Sequence, residues 1–198
     1  FEKVAKALVF LPMAISMVGA SLIWKFVYEF KPNQVGVKQT GLLTQILVWI
    51  GLEPQQFLIS SPWNTFFLII VMIWIQTGFA MVVLSAAIKG VPIEQMEAAE
   101  LDGTTAWQRF VNVTIPGIRP TLVVVVTTIS IASLKVFDIV RTMTAGNDNT
   151  SVIANEMYSQ LKFFEAGRSA AFAVLLFLLV LPIVIYNARQ LKTQREIR

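Results

Sequence analysis

The chain contains neither cysteine nor histidine. These absences remove thiol nucleophiles, thiolate metal sites, imidazole acid–base catalysis and histidine-ligated zinc from the chemistry open to it. Charge is scarce as well: Asp, Glu, Lys and Arg together make up 14% of the 198 residues, against roughly 25% in an average soluble domain. No G-x-x-x-x-G-K-[ST] loop occurs, so nothing in the sequence is built to cradle a triphosphate. No basic patch interleaved with aromatics marks a nucleic-acid surface. We therefore expect no catalytic residue, no metal ligand, no cofactor bound by this chain and no nucleic-acid partner.

What is abundant is apolar surface. Hydrophobic residues make up 56% of the chain, above the roughly 45–50% of soluble domains, and the surplus calls for a bilayer as solvent. A helix needs about 20 mostly apolar residues to cross the hydrocarbon, where its backbone must satisfy its own hydrogen bonds. Four runs qualify: Ala7 to Val27, Asn64 to Ala87, Ile118 to Val140 and Ser169 to Asn187. They hold no paired-carboxylate site, which makes a membrane-embedded enzyme the weakest function class. The expected fold is all-α, a polytopic transmembrane helical bundle forming a single domain over 1–198. The chain opens on Phe1 inside an apolar segment, and we expect native N-terminal spans before it.

Between the runs lie shorter amphipathic pieces. In "GLLTQILVWIGLEP", Leu43, Ile46, Leu47 and Ile50 recur at helical spacing, and Gly51 and Pro54 are placed to end a helix that lies on the membrane surface. A second such piece is "VIANEMYSQLKFF". With four crossings, Lys3, Lys6, Lys89, Arg109, Arg119, Arg189, Lys192, Arg195 and Arg198 fall on one side, and Lys31, Lys38, Lys162 and Arg168 on the other. The positive-inside rule puts the richer side, with the 90–120 loop and the C-terminal tail, in the cytoplasm of a multi-pass protein of the plasma or inner membrane. Trp24, Tyr28, Trp49 and Trp63 read as an interfacial aromatic belt.

The 90–120 loop is the most informative stretch. Pro92 with Glu94 and Glu97 suits a helix start, Asp102–Gly103 breaks that helix, and Thr104 can cap a second short one carrying Trp107, Phe110 and Val111 as an apolar stripe. Pro116 and Pro120 are expected to stop the second helix and re-aim the chain into the third span. Taken on its residues alone, this bracket is most simply an interfacial connector that packs Trp107 and Phe110 against the underside of its own bundle.

The loop also resembles the signature of binding-protein-dependent ABC importer permeases, E-A-A, three residues, G, nine residues, I-x-L-P. It reads here Glu97-Ala98-Ala99, Gly103 and Val113-Thr114-Ile115-Pro116, with Val for Ile, Ile for Leu, and Thr104 where Ala is common. The forms "FLPMAISMVGASLIWKFVY", "SLKVFDIVRTMTAG" and "AGRSAAFAVLLFLLVLPIVIYNARQ" resemble the carbohydrate-uptake branch, its α-glucoside members, and the first, maltose-type subunit of a permease pair. The resemblance implies a type I importer permease whose coupling helix pair docks into a cytoplasmic ATPase through Glu97, Ala98, Ala99, Asp102, Gly103, Trp107 and Pro116. It also implies a second permease subunit, two ATP-binding subunits that use ATP and Mg, and an extracytoplasmic sugar-binding protein.

Polar side chains inside spans are costly unless they face a cavity or another helix. Gln76 and Thr77 near the middle of the second span, with Ser130, Ser133, Phe137 and Asp138 along the third, offer hydroxyl-binding groups and a ring for stacking on a pyranose, which suits a neutral sugar. The ordinary roles stand beside this: intramembrane Ser and Thr bond their own backbone, and Lys135, Asp138 and Arg141 form an ion-pair ladder. An ion-gradient transporter or channel using Lys135 and Asp138 is the alternative function.

Overall fold

The computed structural model of the chain describes residues 9–32 and 39–196, with side chains through 190. The opening of the first expected span at Ala7, and Lys3, Lys6, Lys38 and Arg198 of the charge count, lie outside the described residues. A short 3₁₀ turn, Leu11–Ala14, precedes α1 (Met17–Val27), α2 (Leu42–Trp49) and the long α3 (Trp63–Lys89). Then come α4 (Ile93–Leu101), α5 (Ala106–Arg109), a π-turn over Phe110–Thr114, α6 (Ile115–Leu134), α7 (Asp138–Met143), α8 (Ile153–Lys162) and α9 (Ala166–Glu196).

Among the described residues, three stretches are long and apolar enough to cross a membrane: Trp63–Lys89, Ala106–Leu134 and Ala166–Gln190. The shortest of them, 25 residues, is about 37 Å long at the usual helical rise, enough for a hydrocarbon core of about 30 Å. Within their apolar windows only 22%, 17% and 6% of positions are buried by this chain, so most of their side-chain surface needs lipid or another protein to cover it.

The first expected span is not one helix. Ser16 interrupts it as an N-cap, its Oγ accepting the Gly19 amide at 3.1 Å, and the 11-residue α1 that follows is too short to span alone. The third expected span ends at Leu134, not Val140: the chain leaves the helix at Lys135 and restarts at Asp138. The prolines did not act as stops either. Pro116 and Pro120 both lie inside α6, which continues from α5 through the π-turn, where the Ile115 amide reaches back to Phe110 O. A proline ring normally collides with the carbonyl four residues earlier, and the widened turn directly before Pro116 displaces that carbonyl.

Two compact units are present. In the one formed by residues 11–76 and 135–177, α1 packs on α7 around Ala20, Tyr28, Leu68, Val71, Ile75, Ile139, Val140 and Met143. Tyr28 is a buried core residue here, and the half-buried Trp24 packs against that core instead of standing free in a belt. Trp24 meets Trp74 edge-on at 5.6 Å, and the buried Tyr28 donates its hydroxyl to Phe67 O at 3.2 Å. Trp49 and Trp63 are exposed, as a belt requires. The expected amphipathic stretch is helical as α2, and the buried Thr44 fixes it by donating to Glu29 O at 2.9 Å. Close approach demands Gly41 there, because a Cβ would collide with Glu29 O. The second amphipathic piece forms as α8.

The other unit gathers, of the described residues, 9–10, 77–134 and 178–196. Its described interior includes Ile118 and Val125 of α6, and Thr127, whose hydroxyl bonds Val123 O. Thr128 bonds Val124 O in the same way, the ordinary role of a hydroxyl in an apolar helix.

Candidate functional site

The bracket is built as two short helices around a glycine. Helix α4 ends in a Schellman turn: the Gly103 amide donates to Glu100 O at 3.0 Å and the Thr104 amide to Ala99 O at 3.2 Å. This closure needs a left-handed residue, and Gly103 supplies it at φ +74°. Nothing lies within 4 Å of where its Cβ would be, so the requirement is conformational and not steric. The cap of α5 is Thr105 and not Thr104. Thr105 Oγ1 accepts the Gln108 amide at 3.3 Å and Gln108 Oε1 accepts the Thr105 amide at 2.8 Å, a full capping box. Thr104 instead donates its hydroxyl to Ala99 O.

Across the turn, Arg109 Nη1 meets Glu100 Oε1 at 3.2 Å. Thr114, buried in the π-turn, points its hydroxyl at Met96 Sδ of α4 at 3.8 Å.

Of the sequence-predicted docking residues, Glu97, Ala98, Asp102, Gly103, Trp107 and Pro116 are exposed and Ala99 is half-buried. Trp107 is 71% exposed and, among the described residues, stacks on its neighbour Phe110 alone, at 5.8 Å, so the expectation of a connector packed against its own bundle fails. Leu101 at the tip is 89% exposed and Ile93 at the start of α4 is 66% exposed. An elbow that displays acids together with bare Leu, Ile and Trp has the makings of a protein-docking surface. The sequence reading missed Glu100, Leu101 and Arg109 in this assembly. The T-x-x-Q spacing of Thr105 and Gln108 was a visible signal; the Glu100–Arg109 pairing had none, because it depends on the fold of the turn.

The expected sugar-facing residues are placed on separate elements. Gln76 is half-buried and Thr77 exposed near the centre of α3, and Ser130 and Ser133 sit in the last turns of α6. Among the described residues nothing hydrogen-bonds the side chains of Gln76, Ser130 or Ser133. Phe137 and Asp138 open α7 beyond the Lys135–Val136 break, so no single helical face carries all four residues of the third run. The ladder of Lys135, Asp138 and Arg141 does not form: among the described residues no ion pair joins them. Arg141 instead lies 4.7 Å over the Tyr158 ring, and Phe137 tilts against the same ring at 5.4 Å. Tyr158 carried no sequence signal. A cleft of about 520 Å³ opens elsewhere, lined by Lys25, Phe26, Glu29, Phe30, Gln56 and Phe57 among others, and contains none of the predicted residues.

The family profile described as the inner membrane component of binding-protein-dependent transport systems matches residues 2–195. The chain belongs to this family. It is accordingly a membrane transport component and not an enzyme. It is 50% identical over its whole length to the osmoprotective compounds uptake permease GgtC of Synechocystis, covering 71% of that protein. It is 50% identical over 94% of its length to the α-glucoside transport permease AglF of Rhizobium meliloti, of which it covers 55%. The trehalose/maltose permease MalF of Thermococcus litoralis is 29% identical over 98% of the chain. In three dimensions it matches a chain of a bacterial ABC transporter involved in the import of the acidic polysaccharide alginate, with TM-score 0.81 and 27% identity, covering 94% of this chain and 64% of that one. The all-α membrane bundle is therefore that of type I importer permeases.

Proposed function

We propose that this chain is a permease subunit of an ATP-driven importer that carries a sugar of the α-glucoside class by alternating access, the sugar being delivered by an extracytoplasmic binding protein. It pairs with a second permease in the cell membrane, and the α4–α5 bracket engages one of two cytoplasmic ATP-binding subunits. ATP and Mg are used by those subunits. The observation that carries the reading is the bracket: an exposed acidic and apolar elbow whose second limb runs unbroken through the π-turn into span α6. Small Ala98 and Ala99 permit close approach, the acids offer partners to Arg or Lys, and Trp107 is the side-chain type that anchors protein interfaces. Because α5 and α6 are one continuous helical path, a displacement of the bracket by closing ATPases passes directly to the span.

The orientation follows the same logic. Taking α3, α6 and α9 as crossings puts the bracket and the end of α9 on one side, with Lys89, Arg109, Arg119, Arg189, Lys192 and Arg195, against Lys31, Lys135, Arg141, Lys162 and Arg168 opposite, a narrow excess that supports a cytoplasmic bracket and tail. The sugar class draws support from the relatives' names and from the neutral polar character of Gln76, Thr77, Ser130 and Ser133, with Phe137 and Asp138 completing the proposed path.

Co-expression with candidate partners and purification in detergent tests the reading. An ATPase and a second permease should co-purify, and Glu97→Lys should disconnect ATP hydrolysis from sugar uptake in proteoliposomes. Purification of the chain alone with ion-driven transport, or undiminished coupling in Glu97→Lys, would refute it.

A further inference from the structure

The bracket has local ties and crossing ties, and they do different work. The Schellman turn and the Thr104–Ala99 bond close the end of α4; the Thr105–Gln108 box closes the start of α5. Neither sets the angle between the limbs. Among the described residues, the polar side-chain contacts that join one helical limb to the other are the Glu100–Arg109 ion pair at 3.2 Å and the weak Thr114–Met96 sulfur contact at 3.8 Å. Arg109 is the last residue of α5 and leads straight into the π-turn and α6, and its side chain is only 20% exposed, while that of Glu100 is 70% exposed. The cation is thus held against the bracket and the carboxylate closes over it from the docking helix.

We propose that Glu100 and Arg109 are a positioning pair, a strut that fixes the angle between the docking helix α4 and the lever α5–α6, so that motion received by α4 reaches the span instead of being absorbed at Gly103. The inference rests on the coupling reading of this elbow and deepens it: Glu97, Asp102 and Trp107 meet the ATPase, and Glu100 acts through Arg109. Glycine at φ +74° gives the turn the freedom that makes such a strut necessary. An ion pair this exposed holds its geometry only modestly, so removing it should lower sugar moved per ATP by about two- to fivefold, not abolish it.

The test uses the assembled importer in proteoliposomes with whichever of labelled maltose, trehalose or another α-glucoside disaccharide the wild-type complex transports. Glu100→Gln and Arg109→Gln should each lower the uptake-to-ATPase ratio with the ATPase still bound. The swap of Glu100→Arg with Arg109→Glu should restore it. Since the chain has no cysteine, Glu100→Cys with Arg109→Cys joined by a short bifunctional thiol reagent should restore it too, which no loss of a docking charge could do. Wild-type ratios in both single variants, or failure of both restorations, would overturn the strut. Glu97→Lys separates the two levels: if it leaves coupling intact the coupling reading falls, and if it uncouples while the pair variants do not, only the strut falls.

Discussion

The Asn64 side chain donates to the Asp148 carbonyl at 2.7 Å while its own Oδ1 accepts the Thr65 amide at 2.8 Å. Asn64 is fully buried, and this bond ties the first turn of α3 to the turn that follows α7. Asp148 itself is exposed, so losing the donor costs about 0.5–1.5 kcal/mol, the net worth of an intramolecular hydrogen bond. Asn64→Leu should therefore lower the thermal unfolding midpoint of the detergent-solubilised protein by a few degrees, given roughly 2–4 °C per kcal/mol in a chain of this size. An unchanged midpoint would show that the bond is replaced without loss.

Gly103 offers a sharper prediction because its surroundings are empty. Gly103→Val meets no atom, yet it forces a β-branched residue into a left-handed conformation at a cost of about 1–3 kcal/mol. The variant should fold and assemble, since the penalty is confined to the elbow, but lose coupled uptake. Gly103→Asn, which tolerates that conformation, should retain most of it. The uptake-to-ATPase ratio of the two variants, measured side by side, checks this.

How much of this was legible in the sequence depends on what each signal encodes. Gly103 was legible because a helix end at Asp102 followed by glycine has one common geometry. The runs at Asn64 and Ser169 were legible because length and apolarity suffice for a span. The break at Ser16 and the end of α6 at Leu134 were not, since hydropathy reports which solvent a segment tolerates and not whether its backbone is continuous. Pro116 and Pro120 misled for a related reason: a proline removes one hydrogen bond and needs room, and the π-turn over Phe110–Thr114 provides room without ending the helix. Trp24 and Tyr28 have the composition of belt residues, but the packing of α1 against α7 claims them. Tyr158 and the Glu100–Arg109 pair depend wholly on chain folding.

The sugar path is tested at Gln76 and Ser133, whose side chains have no hydrogen-bond partner among the described residues. Each alanine variant should assemble normally and raise the apparent KM for the transported sugar by about threefold to tenfold, the loss of one neutral hydrogen bond. A wild-type KM and wild-type sugar preference in both would move the path to other residues.

The account stands most directly on where Trp107 points in the cell. A photoreactive amino acid at position 107, irradiated in native membranes, should capture the cytoplasmic ATP-binding subunit as its main adduct, and one at Leu101 should do the same. Adducts confined to lipid or to the extracytoplasmic binding protein, with no ATPase captured from either position, would contradict it.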